Sequence, residues 1–128
     1  MNMAEIERRK KRVLVCDDEP RLLTFVEIKL RLSGYDVIMT TSGETALDLA
    51  RTASPDIMVL DVIMPEMDGF DVLRELRTFT RLPVIVFSAR PGNSSQAMSL
   101  GANDYIAKPF DPDELVRKIR KLTEPERE

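Results

Sequence analysis

Histidine is missing from all 128 residues. Its absence removes the commonest general base, the commonest transition-metal ligand and any phosphohistidine chemistry from this chain. Carboxylates, hydroxyls, lysine and backbone must carry whatever it does. The single cysteine, Cys16, excludes an intramolecular disulfide and cannot alone build a thiolate metal site. Its plain reading is a small buried hydrophobe finishing a strand. No apolar run approaches the length that crosses a bilayer, and the opening stretch MNMAEIERRKK lacks the apolar core of a secretion signal. A cytosolic protein without membrane contact is the expectation. Charge of one sign is scarce too. A net charge of −3 gives no electrostatic basis for holding nucleic acid. The basic clusters ERRKKR and VRKIRK have acids close by and read as solvated faces or partner contacts.

An apolar fraction of 43% and a charged fraction of 32% describe a soluble globular chain with enough length for one core. We read residues 1–11 as a charged N-terminal tail, 12–122 as one domain, and 123–128 as a charged, proline-containing tail or linker. Short β-branched or apolar runs recur through the domain: RVLVC (12–16), YDVIM (35–39), DIMVL (56–60), PVIVF (83–87) and DYIAK (104–108). Between them lie stretches with helical spacing. The first carries Leu22, Leu23, Val26, Leu30 and Leu32 and stops at Gly34, a C-cap signal. The second starts at Ser42-Gly43 and turns Ala46, Leu47 and Ala50 inward. The third begins near Asp68-Gly69 with Phe70, Val72, Leu73 and Leu76. Asp111-Pro112 opens the last, with Leu115, Val116, Ile119 and Leu122. Residues 93–100, NSSQAMSL, offer only Ala97, Met98 and Leu100, so the fourth helix is expected to be short.

Strands apolar enough to be covered on both faces, alternating with helices, argue for a parallel α/β sheet. Ligands in such sheets sit beyond the carboxyl ends of the strands. Polar residues at those ends are therefore the site candidates: Asp17 and Asp18, Asp61, Ser88 and Lys108. The stretch VLVCDDEP shows the problem they raise. Two unit charges 4 Å apart repel by about 4 kcal/mol at an effective dielectric near 20. Three carboxylates without histidine or thiolate form a hard-oxygen site suited to Mg²⁺, Mn²⁺ or Ca²⁺. The added ammonium and hydroxyl suit a phosphoryl group, whose transfer depends on positioning and charge neutralisation, and a carboxylate can be its nucleophile. Taken singly, each residue has a plainer role. Asp18 or Glu19 can cap the helix at Pro20, Ser88 can be a turn hydroxyl, Lys108 a surface amine, and Tyr105 a packing residue. Independent caps and turns have no reason to collect on one sheet edge.

The motifs VLVCDDEP, LDVIMPEMDGFDVLRELR, PVIVFSAR and GANDYIAKPF, in this order, resemble the receiver domain of two-component response regulators. The match runs over residues 12–122. It implies a flavodoxin-like, doubly wound five-stranded parallel sheet of order 2-1-3-4-5 with five helices. It also implies that Asp61 is the phosphoacceptor, with Asp18, Asp61 and the backbone carbonyl of Ile63 binding Mg²⁺, or Mn²⁺ in its place, and Asp17 acting largely through water. Ser88, Ala89 and Lys108 would contact the phosphoryl group. Ser88 and Tyr105 would switch on phosphorylation, Ile63 and Arg90 would tune its lifetime, and Pro109 would follow a cis bond. The implied partners are a sensor histidine kinase or phosphotransfer protein, and an output domain or partner protein reached through the face of helix four, strand five and helix five. Asp104, Glu114 and Lys118 resemble the charged set through which members with DNA-binding output domains form phosphorylation-dependent dimers. Between Ser88 and Lys108 the chain is shorter than in that class, and Pro91 and Gly92 weaken the start of helix four. The pairing face is therefore the part of the resemblance that carries over least.

Two other functions fit parts of the pattern. A Mg²⁺-dependent phosphohydrolase with an aspartyl intermediate would use the same carboxylates. Enzymes of the haloacid dehalogenase type, however, place a second aspartate where this chain has Ile63. A degenerate receiver that only docks would need no chemistry, yet every chemical position is filled. The expected protein modifies itself and turns over no outside metabolite.

Overall fold

The computed structural model describes residues 9–90 and 92–124. Residues 1–8 of the N-terminal tail, Pro91, and residues 125–128 of the C-terminal tail lie outside them, so the expectations placed there have no structural counterpart. Along the chain run β1 (Arg12–Cys16), α1 (Pro20–Leu32), β2 (Asp36–Thr40), α2 (Gly43–Thr52), β3 (Ile57–Asp61), α3 (Gly69–Leu76), β4 (Val84–Ser88), α4 (Asn93–Ser99), β5 (Asp104–Ala107) and α5 (Pro112–Thr123). The strands form one parallel sheet in the order β2-β1-β3-β4-β5. This is the doubly wound, flavodoxin-like architecture that the motifs imply.

Each sheet face has its own apolar layer. On one side Leu23, Val26 and Leu30 of α1 and Leu115, Val116 and Ile119 of α5 pack over Val13, Val15, Val59, Ile85 and Phe87. On the other, Ala46 and Leu47 of α2, Val72, Leu73 and Leu76 of α3 and Ala97 of α4 cover Leu14, Met58, Leu60, Val84 and Val86. The central strands β3 and β4 are buried at every residue, as strands covered on both faces must be.

One inward assignment needs correction. Leu32 is 82% exposed. It lies two residues past buried Leu30, and two residues turn a helix by about 200°, which carries Leu32 to the outer face. Ala50, near the end of α2, is partly buried and packs against the core. Three strands, β2, β3 and β4, also begin and end one residue later than their apolar runs suggest. Thus Thr40, Asp61 and Ser88 each close a strand.

The caps follow the sequence. Ser42, Asp68 and Asp111 accept from the backbone N–H of Thr45, Asp71 and Asp113 respectively. Glu19 precedes Pro20 without a side-chain cap bond. α4 spans seven residues, has no side-chain cap, and follows Gly92, whose φ is +90°.

Candidate functional site: an acidic edge with a lysine bridge

Among the described residues, the buried polar or charged side chains are Asp17, Asp61 and Ser88. All three stand where a strand ends. The parallel register explains their meeting. Cys16 lies beside Leu60, Asp61 beside Phe87, and Ser88 beside Ala107, so Asp17 and Asp61 share a level at the sheet edge, with Ser88 one residue beyond it and Lys108 two.

Local backbone bonds hold the two buried carboxylates. Asp17 Oδ1 accepts from Glu19 N at 2.8 Å, the turn that leads into Pro20 and α1. Asp61 Oδ1 accepts from Ile63 N at 3.0 Å. The other oxygen of each faces Lys108, whose Nζ donates to Asp17 Oδ2 at 2.7 Å and Asp61 Oδ2 at 3.2 Å. The ammonium also lies over the Phe87 ring, 4.6 Å from its centre, and Phe110 meets that ring edge-on. Lys108 is followed by a cis peptide bond to Pro109.

Burial pushes the Asp61 carboxyl above the ordinary carboxylate value. The Ile63 hydrogen bond and Lys108 oppose the rise, and the Asp17 charge adds to it. Burial pulls Lys108 the other way, but its hydrogen bond to Asp17 and the two carboxylate charges outweigh burial and leave it raised. Cys16, beneath the carboxylates, is pushed up to about 12 by burial and then by the charges of Asp17, Asp61 and Asp18. Its thiol contacts Met64 Sδ at 3.6 Å and stays protonated, the inert packing role expected of it.

Asp18 is exposed, yet Asp17, Asp18 and Asp61 each bring a carboxylate oxygen within 4.8 Å of the others. Three hard oxygen donors at this spacing, two of them buried, fit a Mg²⁺-sized dication better than a transition metal. The chemistry of the donor set therefore accepts the ion, and Lys108 supplies one positive charge to the same oxygens. A cavity of about 480 Å³ opens beside Asp18 between Thr41–Glu44 and Met64–Met67, which leaves this edge accessible.

The side formed by β4 and β5 is built differently. Ser88 Oγ accepts from Arg90 N at 3.2 Å and from Asn93 Nδ2 at 3.0 Å. Tyr105 is half-buried and donates its hydroxyl to the Arg90 carbonyl at 3.0 Å. Ala89, Arg90 and Ile63 are exposed at the rim. Lys118 and Asp104 pair with each other at 2.9 Å within the chain.

A family model described as the response regulator receiver domain matches residues 13–120. The chain belongs to the response regulator receiver domain family. Transcriptional regulatory protein KdpE of Mycobacterium tuberculosis is 46% identical over 110 residues, covering 84% of this chain and 49% of that protein. Probable transcriptional regulator ycf27 of Cyanophora paradoxa is 40% identical over 119 residues, covering 91% of this chain and 50% of its own length. Among solved structures, the receiver domain of the Francisella response regulator 1452 superposes with a TM-score of 0.84 at 34% identity, covering 89% of this chain and 97% of that one. The chain spans about half the length of the curated relatives it matches. It is thus a receiver domain of two-component signalling.

Two contributors to the receiver's site escaped the sequence reading. Gly69 has the Asp61 carbonyl and Val62 Cα where a Cβ would stand, so only glycine lets α3 start against the phosphoacceptor candidate's strand. The Asp-Gly pair signalled a helix start, which conceals this second duty. Asn93 was read only as part of a weak helix, because its bond to Ser88 depends on how the connecting loop folds.

Proposed function

We propose that this domain is a phosphorylation-driven switch, comprising residues 12–122, in which Asp61 accepts a phosphoryl group from the phosphohistidine of a sensor kinase or phosphotransfer protein. The observation that carries this reading is the Lys108 ammonium shared between two buried carboxylates on an accessible strand edge. An Asp61 oxygen forms the new P–O bond while the P–N bond to the donor breaks, its electron pair staying with the imidazole nitrogen. Lys108, already oriented by Asp17 and by the Phe87 ring, neutralises an oxygen of the transferring group. Asp17, Asp18, Asp61 and the Ile63 carbonyl would hold Mg²⁺, for which Mn²⁺ can substitute. When bound, the ion supplies charge neutralisation to the phosphoryl oxygens and offsets carboxylate repulsion.

The Ser88 hydroxyl, one residue past the strand position beside Asp61, and the Ala89 amide are the further contacts we assign to the phosphoryl group. Tyr105 reports their state through its bond to the Arg90 carbonyl. Phosphorylation adds roughly −1.5 to −2 charge, enough to bias a two-state loop. The face of α4, β5 and α5 passes the change to an output domain or partner protein in the cytoplasm. In this state the Lys118–Asp104 pair is satisfied within one chain, so a phosphorylation-dependent dimer on this face would have to exchange that bond. The aliphatic Ile63 beside Asp61 cannot orient an attacking water by hydrogen bonding, and with Arg90 it should give a long-lived phosphoryl group.

Incubating the protein with Mg²⁺ and a small acyl phosphate, then measuring intact mass, tests the reading. A stable gain of one phosphoryl group is the expected result. Steady phosphate release without accumulation would point to a phosphohydrolase, and no modification to a domain that only docks.

A further inference from the structure

Helix α4 is held differently at its two ends. At its exit, the Arg77 guanidinium from the end of α3 donates to the Gly101 carbonyl at 2.8 and 3.0 Å, to Asn103 Oδ1 at 3.1 Å and to the Leu82 carbonyl at 2.8 Å. Asn103 Oδ1 also accepts from Val84 N at 2.9 Å, and Ala102 N closes the helix on Ala97 O at 3.0 Å. This end is fastened to the entries of β4 and β5. The N-terminal end follows Gly92 in a left-handed conformation, lacks a side-chain cap, and belongs to a helix whose buried residue is Ala97. The bond that reaches from this end into the sheet runs from Asn93 Nδ2 to Ser88 Oγ.

A hydroxyl oxygen has two lone pairs and one proton. At Ser88 both lone pairs are taken, by Arg90 N and Asn93 Nδ2. Two donors on a fully buried oxygen fix its direction. A hydroxyl that turns toward a phosphoryl group on Asp61 rotates about its Cα–Cβ bond and cannot keep both.

We propose that Asn93 is a positioning residue that holds the Ser88 hydroxyl toward α4 in the unphosphorylated protein, so that phosphorylation breaks this bond and releases the N-terminal end of the helix. The inference rests on Asp61 being the phosphoacceptor and Ser88 its hydroxyl partner. Because α4 stays fastened at Arg77, release produces a pivot about its C-terminal end. One neutral hydrogen bond shifts a two-state equilibrium only several-fold, so Asn93 acts as a bias that the phosphoryl group overcomes. By linkage, whatever favours the resting hydroxyl weakens phosphoryl binding by the same factor.

The test is a calorimetric titration of the intact chain with beryllofluoride, a phosphoryl mimic, in Mg²⁺. Asn93→Ala should tighten binding by about threefold to tenfold, the size of one such bond. Asn93→Asp offers only acceptors, accepts a hydrogen bond from the Ser88 hydroxyl, and should weaken binding by about tenfold. If Asn93 merely supported α4, a carboxylate in the first turn would favour the helix and the two variants would not diverge in this way. In a Ser88→Ala background both effects should vanish, whereas simple charge repulsion by the new carboxylate would persist. Affinities within twofold of the parent, or unchanged effects in the Ser88→Ala background, would overturn the role of Asn93 alone. Failure of the parent chain to bind beryllofluoride, or equal binding by Asp61→Asn, would overturn the phosphoacceptor assignment as well.

Discussion

The two halves of the strand edge are built on opposite principles. At the ends of β1 and β3, Asp17 and Asp61 are buried, each with one oxygen fixed by a backbone N–H two residues on. On β4 and β5, Ser88 and Tyr105 are held through the loop that leads to a short, uncapped helix. The first half has the rigidity that positions a reacting group, and the second has few interactions to break. Lys108 joins them, leaving β5 to reach the carboxylates of β1 and β3. On the proposed function, the first half carries the chemistry and the second the response.

The sharpest way to break the contrast is to disturb the rigid half without touching a charge. Gly69→Ala puts a methyl group into the Asp61 carbonyl and Val62 Cα. A displacement of about 1 Å can cost on the order of 100-fold in rate, so phosphoryl uptake from an acyl phosphate should fall by about that factor, measured by mass against time. An uptake rate equal to the parent's would show that Asp61 is not held by this contact. Ile63→Asn should act next most strongly, by giving water an orienting partner beside Asp61. Phosphate release should accelerate by about tenfold, a modest positioning gain, and an unchanged lifetime would contradict the role given to Ile63.

Acid titration separates the halves by charge. The folded Asp61 carboxyl lies above its unfolded value because burial disfavours its charge. Through Asp61, the folded state therefore binds more protons than the unfolded one between the ordinary and the raised value. Asp61's contribution to stability is fully present below the ordinary value of 3.8 and is lost as pH rises through the raised one. Without metal, Asp61→Asn should melt higher than the parent by a margin that grows across that window and then levels off. Mg²⁺ should narrow the margin by stabilising the parent. The smallest expected effect belongs to Tyr105→Phe, which deletes only the bond to the Arg90 carbonyl. Stability should drop by about 0.5 to 1 kcal/mol in denaturant unfolding, with the initial uptake rate unchanged.

Much of the rigid half was legible in the sequence, because apolar strands ended in carboxylates state both their fold and their chemistry. Alternation of strands and helices indicated the parallel sheet, but the strand order came from the resemblance. Periodicity alone says nothing about which strands are neighbours. It also misplaced Leu32, since an apolar residue near a helix end matches a stripe even when it faces outward. The responding half was less legible for a physical reason. Its contacts run from a loop to side chains on other elements, as Asn93 to Ser88 and Arg77 to Gly101 do, and no local pattern encodes such meetings. Gly69 was visible as a helix start while its closeness to Asp61 was not.

The most direct test is to locate the modification itself. After incubation with Mg²⁺ and acyl phosphate, the carboxyl phosphate would be reduced with borohydride and the chain fragmented for mass spectrometry. A reduced residue at position 61, absent when Mg²⁺ is chelated and absent in Asp61→Asn, is the expected result. A phosphoryl group on Asp17, Asp18 or a hydroxyl residue, or equal labelling without the metal, would contradict the assignment of Asp61.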